Sequence, residues 1–391
     1  MFKQICMEEL KLKILILYAK VGNGHYKAAE IIKNKLQKKY PDATIYFKDG
    51  LKQSSHLANL ITVKGWQNIS KYIPEIYGTI YSSSDTPDKG ALESAYKLIN
   101  KYLTIRIKRM LRELEPDVIF STFHFATRMC AYLKKKKKTN AKIVSLITDY
   151  APHNMWVADS QYIDKILVAT DEMKENCVKK YGVQESKILV TGIPADERFF
   201  GKMDKAKILD EFGLDELSPI FLFFPGGGQG LGNSTETLKQ LLRCKMQYQL
   251  VVIAGKNERL KVEFEEIAKE DARNIRVLGF TDKVPELMYV SEIVISKPGG
   301  LTTTECLISK KPMVIINVLP GQEEQNTTYM CNNGAAIRAD DGELESVIKL
   351  LLEKPLRVQQ MKEMCEVLRK PNAAEDIVDC LVEMYKKVEE G

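Results

Sequence analysis

The feature that most limits what this chain can fold into is a repeating alternation: short apolar, β-branched runs give way to turns rich in Gly, Pro, Ser or Thr, then to helical patterns. Consecutive parallel strands need a connection long enough to hold a helix, so this alternation predicts parallel sheets built from βα units. In the first half the strand candidates are Lys13–Ala19, Thr44–Lys48, Asp117–Thr122, Lys142–Thr148 and Lys165–Thr170. In the second they are Ile220–Phe224, Gln249–Ala254, Ile275–Gly279, Glu292–Ser296 and Met313–Asn317. At 391 residues the chain exceeds what one core usually organises. The fold class expected is α/β, with two Rossmann-like domains facing across a cleft. Gly and Pro in Thr191-Gly192-Ile193-Pro194 set the boundary, giving domains 1–194 and 195–370. Residues 371–391 are expected to form a helix that packs back on the first domain. Ligands of open α/β sheets bind outside the carboxyl ends of the strands, so the turns after the strands are where chemistry is sought.

One segment breaks the rhythm. Between Leu51 and Met110 no parallel strand is evident, but Trp66, Tyr72, Tyr77 and Tyr81 stand among aliphatics and lysines. Such a mixture suits a membrane interface, or equally a helical insertion packed into its own domain. Charge bears on this, because residues 1–190 carry 32 Lys+Arg against 19 Asp+Glu, and the remainder 26 against 33. A basic first half attracts anionic lipid, nucleic acid or only solvent. No run approaches the ~20 apolar residues that span a bilayer, and acidic Glu8 and Glu9 precede the first apolar run, unlike a signal peptide. The eight cysteines are scattered without metal spacing and read as reduced. On these features the chain is expected to be cytosolic or peripheral.

Four turns could carry chemistry. Val21-Gly22-Asn23-Gly24-His25 joins the first strand to a helix; it lacks the dinucleotide GxGxxG spacing, yet it places His25 where a helix N-terminus favours neutral imidazole. His25 then reads as a general base or as a capping residue. Pro225-Gly226-Gly227-Gly228 offers unobstructed backbone N–H groups to a phosphate, or is a plain turn. Ser296-Lys297-Pro298-Gly299-Gly300-Leu301-Thr302-Thr303-Thr304-Glu305 ends a strand and opens a helix; Glu305 could accept from a ribose diol, or form a capping box with Thr302. Pro320-Gly321-Gln322-Glu323-Glu324-Gln325-Asn326 gathers amides and carboxylates suited to sugar hydroxyls.

On these residues the chain resembles the bacterial processive diacylglycerol glucosyltransferases and the plant monogalactosyldiacylglycerol synthases. More distantly it is similar to the enzyme that adds N-acetylglucosamine to lipid I. The resemblance spans nearly the whole chain and rests on Gly22-Asn23-Gly24-His25, Ile147-Thr148-Asp149 with His153 and Trp156, Thr191 to Pro194, and Lys297 to Thr302 followed by Pro320 to Glu323. It implies a GT-B fold and inverting transfer of a hexose, glucose foremost, from a UDP-sugar to diacylglycerol or a glycosyl-diacylglycerol. Carried over, His25 is the base with Asp149 as the other candidate, and Glu305 holds the ribose. Gly226, Gly227, Gly228 and Gly300, beside Leu301 and Thr302, lie at the diphosphate. Gln322, Glu323 and Asn326 read the sugar, and Phe280 and Val284 flank uracil. Gly24, Trp66, Tyr77, Tyr81, His153 and Trp156 fall to the acceptor or membrane side. The Asp that precedes the glycines in the plant synthases is absent, since Ala19, Lys20 and Val21 lead into Gly22. No DxD occurs, so neither metal nor cofactor is expected, and the partners implied are donor, lipid acceptor and anionic membrane, not nucleic acid. The competing readings are N-acetylglucosaminyl transfer to lipid-linked muropeptide, UDP-sugar epimerisation, and a non-catalytic UDP-sugar sensor.

Overall fold

The structure is a computed structural model that describes residues 11–20, 23–50, 85, 104–225 and 234–389. It separates into two compact units: residues 1–194 with 372–391, and residues 195–371.

The first unit holds a six-stranded sheet, ordered β2-β1-β3-β4-β5-β6. Its strands are β1 (Lys13–Tyr18), β2 (Thr44–Asp49), β3 (Val118–Ser121), β4 (Lys142–Leu146), β5 (Lys165–Val168) and β6 (Ile188–Val190). Every pairing is parallel, with Ile14 facing Ile45 on one side and Val118 on the other. Helices on both faces bury these strands, which explains their nearly continuous apolar runs. Helix α1 (Gly24–Lys39) turns Ala28, Ala29, Ile32 and Leu36 onto the sheet at helical spacing and keeps lysines outside. Helix α2 (His124–Lys135) follows β3, and the single-turn helix α3 (Asn154–Val157) follows β4.

The second unit repeats the plan with the order β12-β11-β10-β7-β8-β9, again parallel throughout. Its strands are β7 (Ile220–Phe224), β8 (Gln249–Ile253), β9 (Ile275–Leu278), β10 (Ile293–Ser296), β11 (Met313–Ile315) and β12 (Ala336–Arg338). Helix α4 (Gly300–Ile308) leaves β10, and α5 (Gln322–Asn332) follows β11. The last helix, α6 (Ala373–Glu389), belongs to the first unit: Ile377 and Leu381 join its core, and Glu375 and Asp379 pair with Lys39 of α1.

All ten strands expected from the sequence are present. Two more, β6 and β12, are three-residue edge strands, too short to show a period, and Ala336-Ile337-Arg338 is not markedly apolar. Each sheet has one point where crossovers depart in opposite directions, between β1 and β3 in the first unit and between β7 and β10 in the second. Such a switch point opens a crevice at the strands' carboxyl ends, where ligands bind.

Candidate active site

His25 is the second residue of α1, just past the carboxyl end of β1. Its Nδ1 lies 3.0 Å from Thr148 Oγ1, which comes from beyond β4. Thr122, one residue past β3, donates its hydroxyl to the His25 backbone carbonyl at 2.8 Å. Two threonines on two other strands therefore hold the backbone and the ring of one histidine. Burial lowers the imidazole pKa from 6.5 to about 4, against the opposite pull of a hydrogen bond with the Thr122 backbone. The neutral ring that the sequence assigned to the helix end is thus chiefly an effect of burial. Asp149 follows Thr148 on the bend beyond β4, half-buried.

Aromatic rings surround this group. Phe123 meets His25 edge-on at 5.3 Å, and Trp156 lies 6.3 Å from it. Trp156 also meets His124, the first residue of α2, edge-on at 5.5 Å. His124 was not singled out from the sequence. Its Nε2 is buried without a hydrogen-bond partner, and burial, followed by neighbouring His25, His153 and Arg128, keeps its pKa well below 6.5. His153 caps α3, its Nδ1 accepting from the Met155 N–H at 3.1 Å. That places the proton on Nε2, which lies 3.7 Å from Asp85. Burial opposes the charge of Asp85, but hydrogen bonds from Lys180, Tyr181 and the Asn154 N–H hold its pKa below the usual carboxylate value.

At the other switch point, α4 begins at Gly300 behind Gly299, whose N-cap position has no side-chain cap and open space where a Cβ would sit. The first backbone N–H groups of a helix have no partner within it and favour negative charge. A capping box between Thr302 and Glu305 does not form, because the helix has already started two residues earlier; Thr304 instead donates back to the Gly300 carbonyl at 2.8 Å. Glu305 sits half-buried in the second turn. Three buried hydroxyls on the elements around this switch point lack hydrogen-bond partners: Ser296 at the end of β10, Thr303 in α4 and Ser234 at the start of the helix after β7. Buried hydroxyls are ordinarily paired, so three orphans at one strand edge suit a polar ligand.

The turn after β11 is braced against this edge. Gly321 has φ +101°, a conformation that a side chain would strain, and it delivers the chain into α5. Glu323 Oε2 accepts from the Leu319 N–H at 2.9 Å and lies 3.5 Å from the ammonium of Lys297, which is 6 % exposed. Asn326, fully buried, donates to the Pro298 carbonyl at 2.9 Å.

The sequence model of the monogalactosyldiacylglycerol (MGDG) synthase family matches residues 25–195, and that of the glycosyltransferase family 28 C-terminal domain matches residues 221–377. A processive diacylglycerol beta-glucosyltransferase of Bacillus licheniformis is 29 % identical over 378 residues, covering 95 % of this chain and 94 % of its own length. With one glycosyltransferase model matching each half, the chain is a glycosyltransferase. Among solved structures, MurG of Acinetobacter baumannii superposes with a TM-score of 0.64 at 15 % identity, covering 95 % of this chain and 99 % of its own. The UDP-GlcNAc 2-epimerase of Neisseria meningitidis bound to UDP-GlcNAc gives 0.62 at 15 %, covering 95 % and 100 %. These likenesses concern the fold, which is of the GT-B type.

In this UDP-sugar glycosyltransferase the remaining expected residues fall into two groups. Gly226, Gly227 and Gly228, and Trp66, Tyr77 and Tyr81 with most of the Leu51 to Met110 segment, lie outside the described residues. Phe280 and Val284 follow β9, two strands from β7: Phe280 is 65 % exposed with Lys256 over its ring at 4.9 Å, and Val284 opens the helix Val284–Val290. Gln322 opens α5 beside Glu323. Among the described residues no helix is long and apolar enough to cross a membrane, and no cluster of His, Cys, Asp and Glu could hold a metal ion.

Proposed function

We propose that this glycosyltransferase moves a hexose, glucose foremost, from a UDP-sugar to the hydroxyl of diacylglycerol or a glycosyl-diacylglycerol, with inversion, at an anionic membrane surface on the cytoplasmic side. The observation that carries this reading is similarity along 95 % of the chain to a protein named for that reaction.

The acceptor oxygen attacks the anomeric carbon from the face opposite UDP. His25 Nε2 takes the hydroxyl proton, and UDP departs with the bonding electrons. Thr148 supports this role in the tautomer in which Nδ1–H donates to its Oγ1, which leaves the lone pair on Nε2. Asp149 is the second candidate base. Charge building on the diphosphate meets the N–H groups at the start of α4, the glycines Gly226 to Gly228 and the hydroxyls of Ser234, Ser296 and Thr303, without a metal ion. Glu305 accepts from the ribose diol, Phe280 and Val284 flank uracil, and Gln322 with Glu323 reads the sugar. Asn326 acts through Pro298, which it holds in place. The residues between Leu51 and Met110 admit the lipid.

The test is incubation of the protein with diacylglycerol vesicles and radiolabelled UDP-glucose or UDP-galactose, followed by separation of the lipids. Label entering a glycolipid from UDP-glucose supports the reading; label from UDP-galactose alone corrects the sugar. Label in neither refutes the acceptor.

A further inference from the structure

The nitrogens of the three described histidines in the first unit differ in how they are used. His153 accepts from Met155 through Nδ1 and turns Nε2 toward Asp85, while His25 has Nδ1 against Thr148. His124 is different: its Nε2 is shut away from solvent and has no hydrogen-bond partner. Buried polar atoms are ordinarily paired, so an orphan of this kind is a place for a partner that the protein itself does not supply.

Its position says which partner. His25 and His124 open the helices that follow β1 and β3, the neighbouring strands on either side of the switch point. The indole of Trp156 meets both imidazoles, at 6.3 Å and 5.5 Å between ring centres, and Phe123 touches both as well. Burial keeps both rings neutral, and neighbouring His25 further lowers the readiness of His124 to protonate. A neutral ring can present Nε2–H as a donor.

We propose that His124 is a second acceptor-site residue, whose Nε2–H donates a hydrogen bond to an oxygen of the acceptor while His25 receives the proton of the attacking hydroxyl. The ligand class is an uncharged alcohol with a second oxygen close to its reactive hydroxyl, as in a glycerol ester or a sugar ring. His124 fixes the rotation of the acceptor about its reactive carbon, and no bond to His124 forms or breaks. This role rests on the proposed lipid acceptor and deepens it.

The test compares wild type with His124→Phe, which fills the ring's space without the nitrogen, and His124→Gln, which restores a donor near the place of Nε2. With UDP-glucose and dioctanoylglycerol, His124→Phe is expected to raise the acceptor KM about ten- to a hundredfold, the range for an unpaired site rejecting its ligand. Its UDP affinity stays at the wild-type value and its thermal midpoint does not fall, and His124→Gln recovers most of the loss. Acceptor KM and kcat unchanged in His124→Phe overturn the role, as does a loss that His124→Gln shares in full. Should His124→Phe fold poorly, ¹⁵N-histidine spectra of the wild-type protein decide: the chain has four histidines, and the His124 signal, assigned by its absence in His124→Gln, should move with dioctanoylglycerol and not with UDP alone. A His124 signal that ignores the acceptor refutes the role. A wild-type enzyme that glycosylates no diacylglycerol removes the acceptor reading itself, and this role with it.

Discussion

Thr148→Val isolates the contact that orients the proposed base. Valine keeps the shape of threonine and removes only the oxygen 3.0 Å from His25 Nδ1. Thr148 is 6 % exposed, so water cannot readily replace the lost partner. A neutral hydrogen bond contributes about 0.5 to 1.5 kcal/mol net, and about 1.4 kcal/mol is a factor of ten in rate. The expected outcome is a kcat reduced roughly two- to tenfold with UDP affinity unchanged, because the proposed donor residues lie in the other unit. His25→Ala is expected to cost far more, about a hundredfold to ten-thousandfold in glycolipid formation. The double mutant carries the argument, since a hydroxyl that works only through the imidazole has nothing left to orient once the ring is gone. Thr148→Val should add no further loss on the His25→Ala background. Steady-state kinetics on all four proteins gives the cycle. Fully additive losses would show that Thr148 acts elsewhere, and a His25→Ala enzyme near wild-type turnover would pass the base to Asp149, with Asp149→Asn as the next variant.

Glu305→Ala should weaken UDP binding by about 1 to 3 kcal/mol, and calorimetry showing unchanged affinity in a folded variant would remove Glu305 from the ribose. The pH profile follows from His25, whose folded pKa is depressed to about 4. The neutral base persists until pH falls through that value, so kcat/KM should stay level from pH 8 to 6; an acid limb centred near 6.5 would contradict a buried base. The same shift makes the contribution of His25 to stability complete above the unfolded value of about 6.5 and lost as pH falls toward about 4, which acid denaturation of His25→Ala against wild type would read. Vesicle co-sedimentation should rise with anionic lipid and fall with salt, since such attraction is screened within about 8 Å at physiological ionic strength. Equal binding to neutral vesicles would argue against the electrostatic part.

The sequence showed the two sheets because each strand is buried on both faces and so reads as a continuous apolar run. The turns after β10 and β11 were legible because they are built from backbone: only glycine accepts the conformation of Gly321, and residues near one another in sequence supply the start of α4. The other switch point was half visible. His25 stood out through its glycine turn, but Thr122, Thr148 and His124 reach it from two other strands, across separations of 97 and 123 residues for the two threonine contacts. No local spacing encodes such a meeting. Asp85 was hidden for the same reason, since its partners Asn154, Lys180 and Tyr181 lie far along the chain. The alternative of a capping box at α4 fails for a different reason. Thr302 and Glu305 have the spacing of a capping box, yet Gly299 precedes them in an extended conformation that already caps the helix.

An imidazole, whose basicity burial lowers further here, cannot strip a proton from an alcohol at rest, because the free hydroxyl is weaker as an acid by many orders of magnitude. On the proposed assignment the carbon–oxygen bond must therefore form ahead of proton transfer, since the attacking oxygen becomes strongly acidic only as it gives up its lone pair. That ordering places the demand on leaving-group stabilisation, and the orphan hydroxyls of Ser234, Ser296 and Thr303 together with the open start of α4 are of the right kind to meet it. It also explains why orientation is worth so many contacts around His25. A weak base contributes little driving force, so its value lies in standing where the proton is released, and Thr122 at its backbone with Thr148 at its ring hold it there.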